Sequence, residues 1–139
     1  PVVLCDRRGT IVAAAHAGWR GLASGVLEAT VRAMAADPRD VVAWIGPAIG
    51  PSAFEVGRDV LDAYAGAYPS DAACFIPVGE GKWLADLPAL ARRRLARAGV
   101  VTVAGGTWCT HGDAARFHSW RRDRSTGRMA TAIAIVTGA

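Results

Sequence analysis

The apolar residues of this chain come in short runs, each stopped within a few positions by glycine, proline or charge. VVLC (2–5), IVAAA (11–15), VVAWIG (41–46), CFIPV (74–78) and VVTVA (100–104) are each the length of one buried strand. None approaches the roughly 20 residues that cross a bilayer. Between the runs, apolar residues recur three and four positions apart, which is helical spacing. A chain written this way is confined to short strands intermixed with helices. Its 139 residues, 52% hydrophobic and 20% charged, suffice for one core, and residues 1–139 are read as a single domain.

The elements follow from the local signals. VVLCD, the turn Arg7-Arg8-Gly9 and TIVAAAH predict an antiparallel hairpin. Residues 22–36 predict one helix that ends before Asp37-Pro38. The strand at 41–46 stops at GPAIGP (46–51), where two Gly-Pro pairs impose a rigid turn. Residues 57–67 predict a second helix, and CFIPV a strand before the turn GEGK (79–82). Asp86 is placed to cap a third helix with Pro88 in its first turn and Gly99 at its end. VVTVA is strand-like, GGTWCTHGD a loop, FHSWRRD extended and RSTG a turn, and RMATAIAIV closes the chain as a strand. About six strands and three helices, with hairpins first and last, point to an α+β class. The expected architecture is a mixed α/β sandwich, with mixed β-sheets and flanking helices, and not a doubly wound parallel sheet.

The net charge of +4 raises a nucleic-acid reading, and the arginines cluster at 92–94 and 121–124. No helix-turn-helix, RRM or zinc-finger pattern accompanies them. The 92–94 run is expected to be a solvated helix face, and a basic cleft for a small anion accounts for the charge equally well. No basic segment precedes an apolar stretch in the manner of a signal peptide. The three cysteines, Cys5, Cys74 and Cys109, are too few and scattered for a disulfide framework. The expected setting is a reducing cytoplasm, with no nucleic acid and no membrane as partner.

Chemistry concentrates in three stretches. HAGWRG (16–21) puts His16 at the end of a strand and Arg20 at the start of a helix, a pairing that suits phosphate or carboxylate. Trp19 between them either stacks on a planar ligand or packs into the core. In TWCTHGDAARFHSW, Cys109, His111, Asp113 and His118 carry metal-ligating atoms, but their spacing fits no standard zinc motif. A Cys–His nucleophile pair would need Cys109 near His16, His111 or His118. In SWRRDRSTGRMA, Arg121, Arg122 and Arg128 surround a Ser-Thr-Gly turn and suit a phosphate, with Asp123 able to orient one of them. The alternative is a charged hairpin tip. GPAIGP lacks the Gly-Lys-Ser/Thr of a phosphate loop and reads as a structural turn.

Taken in order, HAGWRG before a helix, GPAIGPxxFEVG, a Cys-Thr pair and SWRRDxxTGRMA resemble the YfiH/FAMIN-like family over essentially the whole chain. That family is often labelled polyphenol oxidase or laccase and is assigned purine nucleoside phosphorylase and adenosine deaminase activity. The resemblance implies purine nucleosides and phosphate as substrates, and a catalytic zinc held by two histidines and one cysteine. His16 corresponds to one of those histidines. The other two ligands lie in Gln-x-His-Gly and Ala-Asp-Cys-Leu-Pro stretches that are not in this sequence, and PVVLC reads as the continuation of the second from its proline. The chain is therefore expected to be the C-terminal part of a larger domain, poorly soluble alone. Cys5 falls too late to be the metal cysteine and reads as a small buried hydrophobe.

With zinc, a bound hydroxide would attack the purine carbon bearing the amino group in deamination. In phosphorolysis, arginines would hold phosphate against the sugar carbon. The expected catalytic residues are His16, Arg20 and Cys109. Trp19, Arg20, Arg121 and Arg122 are expected to hold substrate and phosphate, and His16 the metal. Two other classes compete: a cysteine-type hydrolase of amide bonds in cell-wall precursors, and a copper-dependent polyphenol oxidase. Copper redox centres use many histidines, and this chain has three.

Overall fold

The computed structural model describes residues 1–136. Strand β1 (Val2–Asp6) turns into β2 (Val12–Ala15), followed by helices α1 (Trp19–Ala23) and α2 (Val26–Ala33). A 3-10 turn at Pro38–Asp40 leads into β3 (Val41–Ile45). Then come β4 (Glu55–Val56), α3 (Arg58–Ala65), a second 3-10 turn at Pro69–Cys74, and the hairpin of β5 (Phe75–Gly79) and β6 (Lys82–Ala85). Helix α4 (Leu87–Arg97), strand β7 (Thr102–Gly105) and the short helix α5 (Trp120–Asp123) complete the order. One sheet runs β2-β1-β3-β7 and a smaller one β4-β6-β5. Strand β1 is antiparallel to β2 and β3, while β3 and β7 are parallel. The fold is α+β with mixed sheets and flanking helices, as the sequence leads one to expect. No helix among the described residues is long and apolar enough to cross a membrane.

The first hairpin is closed by one carboxylate. Asp6 Oδ1 accepts from the amides of Thr10 and Ile11, each at 2.7 Å, and Oδ2 accepts from the Thr10 hydroxyl at 2.8 Å. The period of two along β1 and β3 then sorts their side chains. Val2, Leu4, Val41, Ala43 and Ile45 point into the core, where Leu22, Leu27, Leu90 and Leu95 join them. Val3, Cys5, Val42 and Trp44 occupy the opposite face and are only half-buried, so Cys5 is not the fully buried residue expected. Helix α4 begins as read, with Asp86 Oδ1 accepting from the Ala89 amide at 2.8 Å and Pro88 in the first turn. It ends at Gly99, whose φ of 88° suits glycine alone.

Four local expectations are corrected. The helix over 22–36 is two helices, because Gly25 at φ 86° breaks the ladder. FHSWRRD is not extended: its second half winds into α5. RMATAIAIV forms no strand over its residues 128–136, because alternation permits an extended chain but a ladder needs a partner edge. The last antiparallel pair is accordingly replaced by the parallel pairing of β7 with β3. Finally, the 92–94 arginines are not a solvated face. Arg94 is 3% exposed, 3.4 Å from Glu28 and stacked near the Tyr64 and Tyr68 rings, while Arg92 donates to the Gly105 carbonyl. One turn later Arg97 grips the fully buried Asp71 of the second 3-10 turn.

Candidate functional site

His16 leaves the end of β2 with its side chain exposed and lines a groove of about 1020 Å3. One wall of the groove is the half-buried sheet face, with Val3 and Trp44. The other is the chain from Phe117 through Trp120 and on to Met129. His118 lies on the same groove. Both imidazoles rest against a glycine. Gly18 is in ordinary extended backbone, at φ −63° and ψ 161°, so what it supplies is room: a Cβ there would sit 3.2 Å from His16 Nε2. A Cβ at Gly127 would come within 2.7 Å of His118 Nε2, closer than any real side chain tolerates.

The arginines divide sharply. Arg122 donates to the carbonyls of Thr110 at 2.9 Å, His111 at 3.0 Å and Phe117 at 2.9 Å, and pairs with Asp123 at 2.7 Å. It clamps the Cys109 loop to α5, and its guanidinium holds the Asp123 carboxyl below the usual range. Arg121 donates to the Glu55 carbonyl at 2.9 Å and lies over Phe54. Arg20 stacks on Trp19, 4.3 Å from the ring, and the Trp19 carbonyl accepts from the Tyr64 hydroxyl at 2.8 Å. None of Trp19, Arg20, Arg121 and Arg122 is among the residues that line the groove. The arginines that do are Arg116, paired with Asp113 at 2.5 Å, and Arg128.

Cys109 opens onto a separate, smaller cavity of about 200 Å3 with Gly50, Asp86 and Arg92. Burial works against its thiolate, but the amides of Gly112, Gly50 and His111 outweigh that and hold the thiol below its ordinary value. Gly50 N–H reaches the sulfur at 3.2 Å and Gly112 N–H at 3.4 Å. None of His16, His111 and His118 lines this cavity, and among the described residues the sulfur accepts from backbone amides and from no imidazole. GPAIGP explains itself here. Thr110 donates to the Ala48 carbonyl at 2.9 Å, and a Cβ at Gly50 would come within 3.1 Å of the Cys109 sulfur. The turn docks one loop against the other.

Among the described residues no three of His, Cys, Asp and Glu gather closely enough to hold a metal ion. His16 suits a ligand, being exposed at a rigid strand end, but it stands alone. These residues do not by themselves form a zinc site. The groove side of His118, Gly127 and Arg128 had one signal in the sequence, the glycine and arginine that follow one another after the Ser-Thr turn. Spacing alone could not rank Arg128 above Arg121 and Arg122.

A family model described as multi-copper polyphenol oxidoreductase laccase matches residues 1–136. A purine nucleoside phosphorylase of Pseudomonas aeruginosa is 52% identical over 134 residues, 96% of this chain and 55% of that protein. The purine nucleoside phosphorylase YfiH of Escherichia coli is 52% identical over 136 residues, 98% of this chain and 56% of that protein. The chain thus spans about half the length of the curated relatives it matches. Among solved structures, a Neisseria meningitidis protein superposes with a TM-score of 0.87 at 56% identity, covering 88% of this chain and 50% of that one. YlmD of Geobacillus stearothermophilus gives 0.84 at 32% identity, with 91% and 49% covered. The motifs, the matched length and the shared fold agree, and the chain belongs to the YfiH-like family that the model describes as multi-copper polyphenol oxidoreductase laccase.

Proposed function

We propose that this chain forms one side of the active site of a purine nucleoside phosphorylase, acting within a protein of about its relatives' length. The observation that carries the reading is the groove itself. It is wide enough for a nucleoside, walled by Trp44, Phe117 and Trp120, and lined by His16, His118, Arg116 and Arg128 with no carboxylate among the described residues. Aromatic walls suit the flat purine, and guanidinium groups suit the phosphate that attacks the sugar carbon as the base departs. The curated relatives carry the name of that activity.

The reading extends to zinc, with His16 as one ligand and the remaining ligands from outside this chain, and to adenosine deamination in the same groove. The chain's own residues supply orientation and charge: the sheet face and the aromatic wall hold the nucleoside, and the cations hold the anion. Three free cysteines fit a cytoplasmic setting.

The test is the full-length protein, zinc-loaded, incubated with inosine and with adenosine, with and without phosphate, beside His16→Ala. Hypoxanthine release that requires phosphate is expected. The variant should lose at least about 100-fold in kcat/KM, since even outer partners of a metal ligand are worth 10- to 100-fold. Conversion of adenosine to inosine without phosphate is the expected sign of deamination. Base release independent of phosphate would overturn phosphorolysis in favour of hydrolysis.

A further inference from the structure

Arg116 and Arg128 line the groove, and Arg121 and Arg122 stand on α5 next to Trp120, which also lines it; of these four, three have their guanidinium committed. Arg122 is spent on three carbonyls and a carboxylate, Arg121 on the Glu55 carbonyl, and Arg116 on Asp113. Arg128 is different. Its only hydrogen bonds among the described residues are long ones to its own loop, at 3.3 Å to the Thr126 carbonyl and 3.4 Å to that of Gly127. Among the described residues it has no acidic partner within salt-bridge distance, and it lines the groove that His16 also lines. A guanidinium with donors to spare, facing a groove without carboxylates, is set for an anion.

The turn that carries Arg128 is held in place. Gly127 lies flat against the His118 ring, close enough that a Cβ would meet Nε2 at 2.7 Å, Cδ2 at 2.9 Å and Cε1 at 3.0 Å. Any side chain at 127 would displace the imidazole, the turn or both.

Resting on the phosphorolysis reading, we propose that Arg128 binds the phosphate substrate directly and that His118, packed under Gly127, is the positioning residue that aims it. Arg121 and Arg122 then serve the scaffold. A charge-assisted contact of this kind is worth about 10- to 100-fold in binding.

The experiment uses the full-length protein with inosine and inorganic phosphate, and measures both KM values together with the rise in Tm that phosphate produces. Arg128→Gln should raise the KM for phosphate about 10- to 100-fold, leave the KM for inosine within about twofold and abolish the phosphate-induced rise in Tm. Arg128→Lys should recover part of each, which also guards against a folding defect in the first variant. Gly127→Val should raise the phosphate KM through His118, with the inosine KM again spared. Arg32→Ser, on the exposed side of α2, should change nothing. An unchanged phosphate KM and Tm response in both Arg128 variants would overturn the inference while leaving phosphorolysis standing. If the parent protein turns over no nucleoside with phosphate, yet its Tm response to phosphate disappears in Arg128→Gln, the anion site stands and the phosphorolysis reading falls.

Discussion

Asp6 shows how much one side chain settles. Its carboxylate is buried and accepts from the Ile11 and Thr10 amides and the Thr10 hydroxyl, and together these bonds carry its pKa from 3.8 down to about 2 despite the opposing effect of burial. Arg8 adds a weaker attraction at 3.5 Å. A carboxyl whose folded pKa is depressed contributes stability that is complete above its unfolded value, near 3.9, and is lost as pH falls toward 2. The urea midpoint of the protein should therefore drop between pH 4 and pH 2, and Asp6→Asn should flatten that part of the profile. An identical profile in the variant would show that other carboxylates carry the acid transition. At this scale the sequence is legible where chemistry and position coincide: His16 at a strand end is read from six letters. It is illegible where one residue type has several possible partners, as with Arg122, whose acceptors lie as far back as Thr110.

Between elements, the joint that most resists substitution is the one between α4 and the second 3-10 turn. Asp71 is fully buried and takes two bonds from Arg97, with Arg93 3.7 Å away. Removing the carboxylate leaves two guanidinium groups facing a site built for an anion. Asp71→Ala should cost about 3 kcal/mol, a large part of a domain's usual stability, read from urea unfolding. A loss under about 1 kcal/mol would mean that Arg93 and Arg97 simply turn to water. The arginine run is illegible in the sequence because a helix shows its own periodicity and not what is packed against it. Arg94 lies on the buried side, where Tyr64, Tyr68 and Glu28 meet it. The 22–36 break was likewise hidden, since Ser24-Gly25 is tolerable within a helix and only packing decides that it bends there.

For the molecule as a whole, the uncovered side of the larger sheet decides its behaviour. Val3, Cys5, Val42 and Trp44 line that face half-buried, and Trp120, on the groove beside it, is 62% exposed. Surface of this kind is normally covered. Residues 1–139 expressed alone should aggregate or bind a hydrophobic dye such as ANS strongly. A cooperative thermal transition with no dye binding by the isolated segment would overturn this.

The sequence by itself determined the first hairpin, the capped helix at Asp86, the mixed class of the fold and the family, because each rests on contacts within a few residues or on motifs preserved whole. Only the tertiary structure decided which strand pairs with which, which arginines are consumed, and that His16, His118 and Arg128 share one groove while Cys109 opens onto another cavity. Those outcomes depend on acceptors and edges brought from far along the chain, as Asp71 is to Arg97 and Ala48 is to Thr110. Local spacing carries no record of such partners.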